Sequence, residues 1–255
     1  MAGHIDLQRL HDNVTRLRVE IVDACARAGR RPGDVTLVAV TKYVDLPVIR
    51  GLLAAGVRDL GENRVQQLTA RAQELGQTTG IWPEPGEPAG QQESSAGPRW
   101  HMIGHLQRNK VKALLPHSSI MHSVDSPRLA VEIDKVAAQL DTTVDVLIEV
   151  NIAEEQSKYG LQPGDVPALV AGLNDLRHLR LRGLMTMAPF DPDPEHARPC
   201  FARLRETLED LQARQVVTEY CRHLSMGMSQ DYAVAVEEGA TLVRVGSALY
   251  EGVIK

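Results

Sequence analysis

Six lysines stand among the 28 basic residues of this 255-residue chain, at positions 42, 110, 112, 135, 158 and 255. Only Lys42 stands at the end of an apolar strand-like run, residues 35–40 (VTLVAV), one residue beyond it after Thr41. Burial at such a point disfavours the ammonium, and a neutral amine condenses with an aldehyde to give a Schiff base. The plainer reading, a lysine whose stem lies on apolar surface while its head reaches water, is the stronger one from this segment alone. Two other segments carry small residues suited to an anion. In Ser225-Met226-Gly227-Met228-Ser229 the glycine permits close backbone approach, and the serine ahead of Gln230-Asp231-Tyr232 can cap a helix or hydrogen-bond an anion. Arg244-Val245-Gly246-Ser247 is a second turn of this kind. Each taken singly reads as an ordinary strand-to-helix connection.

What these residues can do depends on the elements that hold them. Residues 35–40 are rich in β-branched side chains and follow Pro32-Gly33-Asp34, so they read as a buried strand. Strand-like runs recur at 57–60, 101–106, 120–124, 144–151, 179–187, 223–226 and 242–245, making eight. Helical stretches lie between them at 47–55, 64–75, 109–115, 127–140, 166–176, 195–213 and 232–238. An opening helix is read from Leu7, Leu10, Val14, Leu17 and Ile21 and ends near Ala28-Gly29. Alternation of this sort implies parallel strands with helical crossovers, and a single closed (β/α)8 barrel of TIM type is the leading architecture. An open doubly wound sheet is the alternative, weakened by the lack of GxGxxG after the first strand. In a parallel barrel, functional groups collect where strands end, and the loops after strands seven and eight often hold phosphate. Lys42 after strand one, with small-residue turns after strands seven and eight, therefore points to a phosphorylated aldehyde, a description that pyridoxal 5'-phosphate fits.

Composition bounds the remaining classes. A formal net charge of −5 argues against a general nucleic-acid binder. With 43% hydrophobic and 24% charged residues the chain can build a sizeable core. Cys25, Cys200 and Cys221 form no CxxC pair, which argues against a disulfide framework or a zinc site and suits a reducing compartment. The opening MAGHIDLQRLHDNV lacks an apolar core of signal-peptide length, and no apolar stretch reaches membrane-span length, so a soluble cytoplasmic protein is expected. Residues 76–98, dense in Gly, Pro, Ser and Gln, are expected to form a flexible surface insertion in an otherwise single domain over 1–255.

Seven stretches, in order along nearly the whole chain, resemble the YggS/PROSC family of pyridoxal-phosphate homeostasis proteins: AVTKY around Lys42, LGENRVQ at 60–66, WHMIGHLQRNK at 100–110, EVNIAEEQSKYG at 149–160, LRGLMTM at 181–187, SMGMSQDYAVAVEEG at 225–239 and TLVRVGSALYEG at 241–252. The resemblance implies the barrel of the alanine racemase N-terminal domain, a fold-type-III-like pyridoxal-phosphate barrel without a C-terminal β domain. It implies Lys42 as the lysine of the internal aldimine and Ser229, Gly246 and Ser247 at phosphate-binding positions, with Met226 and Gly227 lining the same loop. Arg244 would face the pyridine nitrogen and Asn63, of the Gly-Glu-Asn motif, would lie near the cofactor. The chain departs from the family pattern in its longer 76–98 insertion, in Tyr43-Val44-Asp45 after the lysine, and in its LYEG ending.

The function implied is a non-catalytic carrier or buffer of pyridoxal 5'-phosphate, a monomer, with pyridoxal-phosphate-dependent apo-enzymes as recipients. A weakly active amino-acid racemase is the alternative. An arginine at the ring nitrogen suits either, but a racemase of this type needs a second domain with an acid/base tyrosine, for which 255 residues leave no room. A third reading is a barrel enzyme whose Lys42 forms a Schiff base with a phosphorylated substrate. Other features carry less. His101 and His105 form HxxxH, but on a strand four residues span roughly 13 Å, so ordinary barrel histidines are expected and no metal site. Asp191-Pro192-Asp193-Pro194-Glu195 reads as a turn whose charge suits a helix start. Lys158 reads as a solvated loop lysine. Arg198, Arg203 and Arg205 read as a solvent face balanced by Glu195, Glu206, Glu209 and Asp210.

Overall fold

The computed structural model describes residues 5–76, 97–155 and 159–254. The expected insertion at 76–98 thus lies almost wholly outside the described residues, as does Lys158. Among the described residues there are eight strands: β1 (Thr36–Val40), β2 (Asp59–Glu62), β3 (Arg99–Met102), β4 (Ile120–Val124), β5 (Val144–Glu149), β6 (Leu179–Met185), β7 (His223–Ser225) and β8 (Leu242–Val245). Each pairs in parallel with the next and β8 pairs with β1, so the sheet closes into a barrel. The helices are α1 (Leu7–Arg27), α2 (Leu46–Ala54), α3 (Val65–Leu75), α4 (Val111–Leu114), α5 (Pro127–Gln139), α6 (Val166–Leu173), α7 (Arg198–Ala213), α8 (Tyr232–Glu237) and α9 (Ser247–Tyr250). Parallel neighbours need crossovers, and α2 to α8 supply them.

The helix α1 starts because the Asp6 carboxylate accepts the Arg9 N–H at 2.9 Å, and it buries Leu10, Val14, Leu17 and Ile21 at helical spacing. It also ties the chain's two ends together. The buried Asn13 amide donates to the carbonyls of Leu249 and Glu251, both at 3.0 Å, and Asp6 N–H donates to Val253 at 2.9 Å.

Two apolar clusters follow from the strand period of two. The larger fills the layer between barrel and helices, with Leu10, Ile49, Leu68, Trp100 and Phe201 among its members. The smaller lies inside the barrel and holds Val38, Ile120, Leu147, Met185 and Leu242. On β8, Leu242 belongs to the inner cluster and Val243 and Val245 to the outer, so Arg244 also faces inward. The interior departs from the branched aliphatic layers usual in such barrels. Asp59, Arg99, His101, His122, Asp145, Arg182, Ser225 and Arg244 are all buried.

Strand edges differ from the apolar pattern where charged residues enter the sheet. The pattern predicts strand two at 57–60 and strand three at 101–106; β2 begins at Asp59, and β3 starts at Arg99 and ends at Met102. The reason is direct pairing. Arg99 donates to Asp59 twice, Nε to Oδ1 at 2.7 Å and Nη2 to Oδ2 at 2.6 Å, which compensates two buried charges on adjacent strands.

Candidate cofactor site

Parallel register gathers the singled-out residues on one rim. Val38 pairs with Arg244 across β1 and β8, Val40 with Gly61 across β1 and β2, and Ser225 with Leu242 across β7 and β8. Lys42, Asn63, the turn at 225–229 and the turn at 244–247 therefore leave four successive strands at their C-terminal ends. Lys42 is half-buried, with Nζ 4.8 Å from the ring centre of Tyr43, whose side chain is 83% exposed. The backbone beneath it is anchored. Arg71 of α3 donates to the carbonyls of Thr41 at 2.9 Å and Val44 at 2.6 Å and to the Glu62 carboxylate, which also accepts the Thr41 hydroxyl. Burial pushes the Glu62 carboxyl up, while Thr41, Arg71 and the Lys42 charge pull it down, less strongly. Tyr250 donates to the Val40 carbonyl at 3.0 Å, and burial raises its hydroxyl.

The turns after β7 and β8 are joined. Ser229 Oγ accepts the N–H of Gly246 at 3.1 Å and of Ala248 at 3.4 Å, and Arg244 N–H donates to the Gly227 carbonyl at 3.0 Å. Asp231 accepts the Met228 N–H at 2.6 Å. Gly227 is required here. Its φ is +90°, and a Cβ would stand 2.5 Å from the Ala235 Cβ and 3.0 Å from the Tyr232 Cα. Ser247 opens α9, whose next two N–H groups are taken, that of Ala248 by Ser229 Oγ and that of Leu249 by the Gly246 carbonyl at 2.9 Å. Met226 is fully buried in the outer cluster, so only its backbone reaches this loop. Asn63 rests on Gly104: a Cβ there would stand 2.4 Å from the Asn63 carbonyl oxygen.

Arg244 lies on the floor of the same end. Its guanidinium donates to the Ser225 hydroxyl and, at 2.9 Å, to the Thr186 carbonyl. Burial pushes it down to about 10, against the pull of Glu149 and Asp231. Glu149, 4% exposed at the end of β5, is pushed up to about 7 by burial and then by Asp125, with Arg244 opposing. Sequence reasoning missed Thr41, Glu62, Arg71, Glu149 and Ser225. Thr41, Glu62, Glu149 and Ser225 lay inside the motifs singled out in the sequence and gave a partial signal; Arg71, within a helix, gave none.

The remaining features resolve locally. His101 is wholly buried and bonds to Asp59 and His122, whereas His105, beyond β3, pairs with Asp125 at 3.2 Å and stacks on Tyr159. The two face different partners and form no HxxxH pair. Asp193 caps the turn at 194–197 through the Glu195 N–H at 3.0 Å. Arg198 pairs with Glu195, Glu237 and Glu238, Arg203 with Glu154, and Arg205 with Glu209 and Glu238.

Over 94% of this chain and 96% of its own length, the pyridoxal phosphate homeostasis protein of Aquifex aeolicus is 38% identical. The chain belongs to the pyridoxal phosphate homeostasis protein family. A member from Deinococcus radiodurans is 40% identical over 90% of this chain and 95% of its own. The family model for the alanine racemase N-terminal domain matches residues 5–253. Among solved structures, PipY of Synechococcus elongatus with PLP bound superposes at a TM-score of 0.76, with 31% identity over 94% of this chain and 99% of PipY. Alanine racemase of Clostridium difficile shares the fold at a TM-score of 0.71 and 17% identity, and its match covers 58% of that chain. In this member of the homeostasis family, the lysine-bearing strand and the two small-residue turns are neighbours around a closed ring. Among the described residues no helix is long and apolar enough to cross a membrane.

Proposed function

We propose that this chain binds pyridoxal 5'-phosphate at the C-terminal end of the barrel, covalently through Lys42, and serves as a cytoplasmic carrier or buffer of that cofactor. The observation that carries the reading is the meeting, on one rim, of a half-buried lysine, a charged arginine and two turns tied by Ser229. Family membership and the name of PipY bound to PLP support it. The residues fit the group chemically. The Gly227 turn leaves no room for a Cβ, and the Ser229 and Ser247 hydroxyls, with the backbone N–H of Ser247, are donors suited to a phosphate.

Pyridoxal 5'-phosphate supplies an aldehyde, which takes up a primary amine with loss of water. Lys42 is the amine of this rim. Glu62, held by Thr41 and Arg71, lies where its charge feels that of Lys42. Arg244, a cation that only donates hydrogen bonds, would keep a ring nitrogen set against it in its acceptor form. Ser229, Gly246 and Ser247 would hold the phosphate, with Met226 contributing backbone and Asn63 bordering the site after β2. The recipients are pyridoxal-phosphate-dependent apo-enzymes, and the working unit is a monomer.

The test is the near-visible absorbance and intact mass of native protein and Lys42→Ala, loaded with the cofactor, before and after borohydride. A yellow band lost on reduction, with one pyridoxyl-phosphate mass fixed to native protein and none to the variant, is expected. A colourless, unlabelled native protein defeats the reading, and sustained turnover of alanine defeats the carrier role.

A further inference from the structure

A single file of hydrogen bonds crosses the barrel interior and ends on Arg244. Asp59 Oδ1 lies 3.0 Å from His101 Nε2, His101 Nδ1 lies 2.9 Å from His122 Nε2, and His122 Nδ1 lies 2.8 Å from Ser225 Oγ, which accepts from Arg244 Nη1. The file runs through β2, β3, β4, β7 and β8. All five residues are at most 5% exposed.

The direction of every link is fixed by its ends. A guanidinium only donates and a carboxylate only accepts. Asp59 is such a carboxylate: burial works to raise it, but hydrogen bonds from Arg99 and His101 outweigh that and hold it below the ordinary range. His101 must then donate from Nε2. Burial pushes both imidazoles below their ordinary range, so each is neutral, with one donor and one acceptor. His101 Nδ1 accepts from His122 Nε2, His122 Nδ1 accepts from the Ser225 hydroxyl, and Ser225 accepts from Arg244. Each of these three side chains donates one proton within the file and accepts one. No link is left with two donors or two acceptors.

We propose that Asp59, His101, His122 and Ser225 are positioning residues for Arg244, a one-way file that fixes the plane and place of its guanidinium at the cofactor end of the barrel. The claim rests on the pyridoxal-phosphate reading above and assigns this chain's inner residues a part in it. Two anchors hold the guanidinium, Ser225 on Nη1 and the Thr186 carbonyl on Nη2. Well-packed aliphatic side chains often replace buried polar groups without loss of stability, and the inner apolar cluster lies beside the file. A polar file there has its use at the end that reaches the site.

The experiment compares native protein with Ser225→Ala, Ser225→Cys and Ser225→Thr. In the cofactor-free proteins, ring-nitrogen NMR reads the histidine tautomers and side-chain N–H exchange reads Arg244; titration with pyridoxal 5'-phosphate then reads affinity and the near-visible band. Expected are Nε2–H tautomers at His101 and His122 and a protected Arg244 N–H in native protein and Ser225→Thr. In Ser225→Ala and Ser225→Cys that protection is lost, the band moves, and affinity falls about tenfold, the scale of one hydrogen bond to a charged group. Borohydride still fixes the cofactor to Lys42 in every variant. Opposite tautomers, or Ala and Cys variants with native Arg244 protection and native affinity, overturn the proposal. If native protein takes up no cofactor, the functional reading falls instead, and the tautomers and Arg244 exchange still decide the file.

Discussion

Replacing Glu149 by Gln isolates the largest resolved carboxyl elevation beside the site. Burial and the neighbouring Asp125 raise this group from the ordinary 4.5 to about 7, against Arg244. The folded protein therefore holds the Glu149 proton more tightly than the unfolded chain does. Over the window between those two values the native state binds more protons than the unfolded state, so stability from this group falls as pH rises and the loss is complete above about pH 7. Each tenfold difference in proton affinity is worth about 1.4 kcal/mol, so the full effect is about 3 kcal/mol, of which about 2–3 kcal/mol lies between pH 5 and pH 8. Urea unfolding of native protein and Glu149→Gln across that range reads it directly. Subtracting the two leaves Glu149 with its coupling to Asp125 and Arg244 and removes groups not coupled to it, including Glu62, whose elevation acts in the same direction. The difference, native minus variant, is expected to drop by that amount with rising pH. Parallel curves would refute the reasoning, because they mean that Glu149 titrates alike in both states.

The packing and thiol chemistry give further tests. Gly227→Ala places a Cβ 2.5 Å from that of Ala235 at φ +90°, so a loss of about 2–4 kcal/mol in urea unfolding is expected, together with weaker cofactor uptake. Phe201→Ala empties a fully buried ring position in the outer core, and a loss of about 3–5 kcal/mol with unchanged Lys42 labelling is expected. Burial pushes the Cys221 thiol up to about 12 and raises Cys25 as well, while Cys200 is partly exposed. A disulfide reagent is therefore expected to label Cys200 within minutes and the other two only on unfolding, read as mass increments.

The architecture was legible because strands such as β1, β5 and β8 contain apolar β-branched or aliphatic runs and helices such as α1 and α5 bury residues at helical spacing. The strand Leu242–Val245 lies where the pattern put it, as does Ile120–Val124. Misplacement at β2 and β3 has one physical source. Asp59, Glu62 and Arg99 are buried charges whose partners lie on other elements, so each reads in sequence as a surface residue until the pairing is known. The positions of Lys42 and of the turns at 225–229 and 244–247 at strand ends were legible because the apolar runs of β1, β7 and β8 stop just before them, while each segment taken singly has an ordinary structural use. The interior file was not. His101, His122 and Ser225 are separated by 21 and 103 positions and meet only through barrel closure, for which no local period exists.

The binding of Asn13 to the carbonyls of Leu249 and Glu251, at separations of 236 and 238 residues, sets an order of events during synthesis. The first helix leaves the ribosome long before its capping partners exist. Its buried amide and its share of the outer core wait until β8 pairs with β1, and that pairing is also what brings Gly246 and Ser247 beside the Lys42 strand. Closing so long a loop is the slowest kind of contact a chain makes. Partly made chains therefore carry the lysine without the turn that completes its rim, and the ability to hold a ligand there arises together with the finished ring.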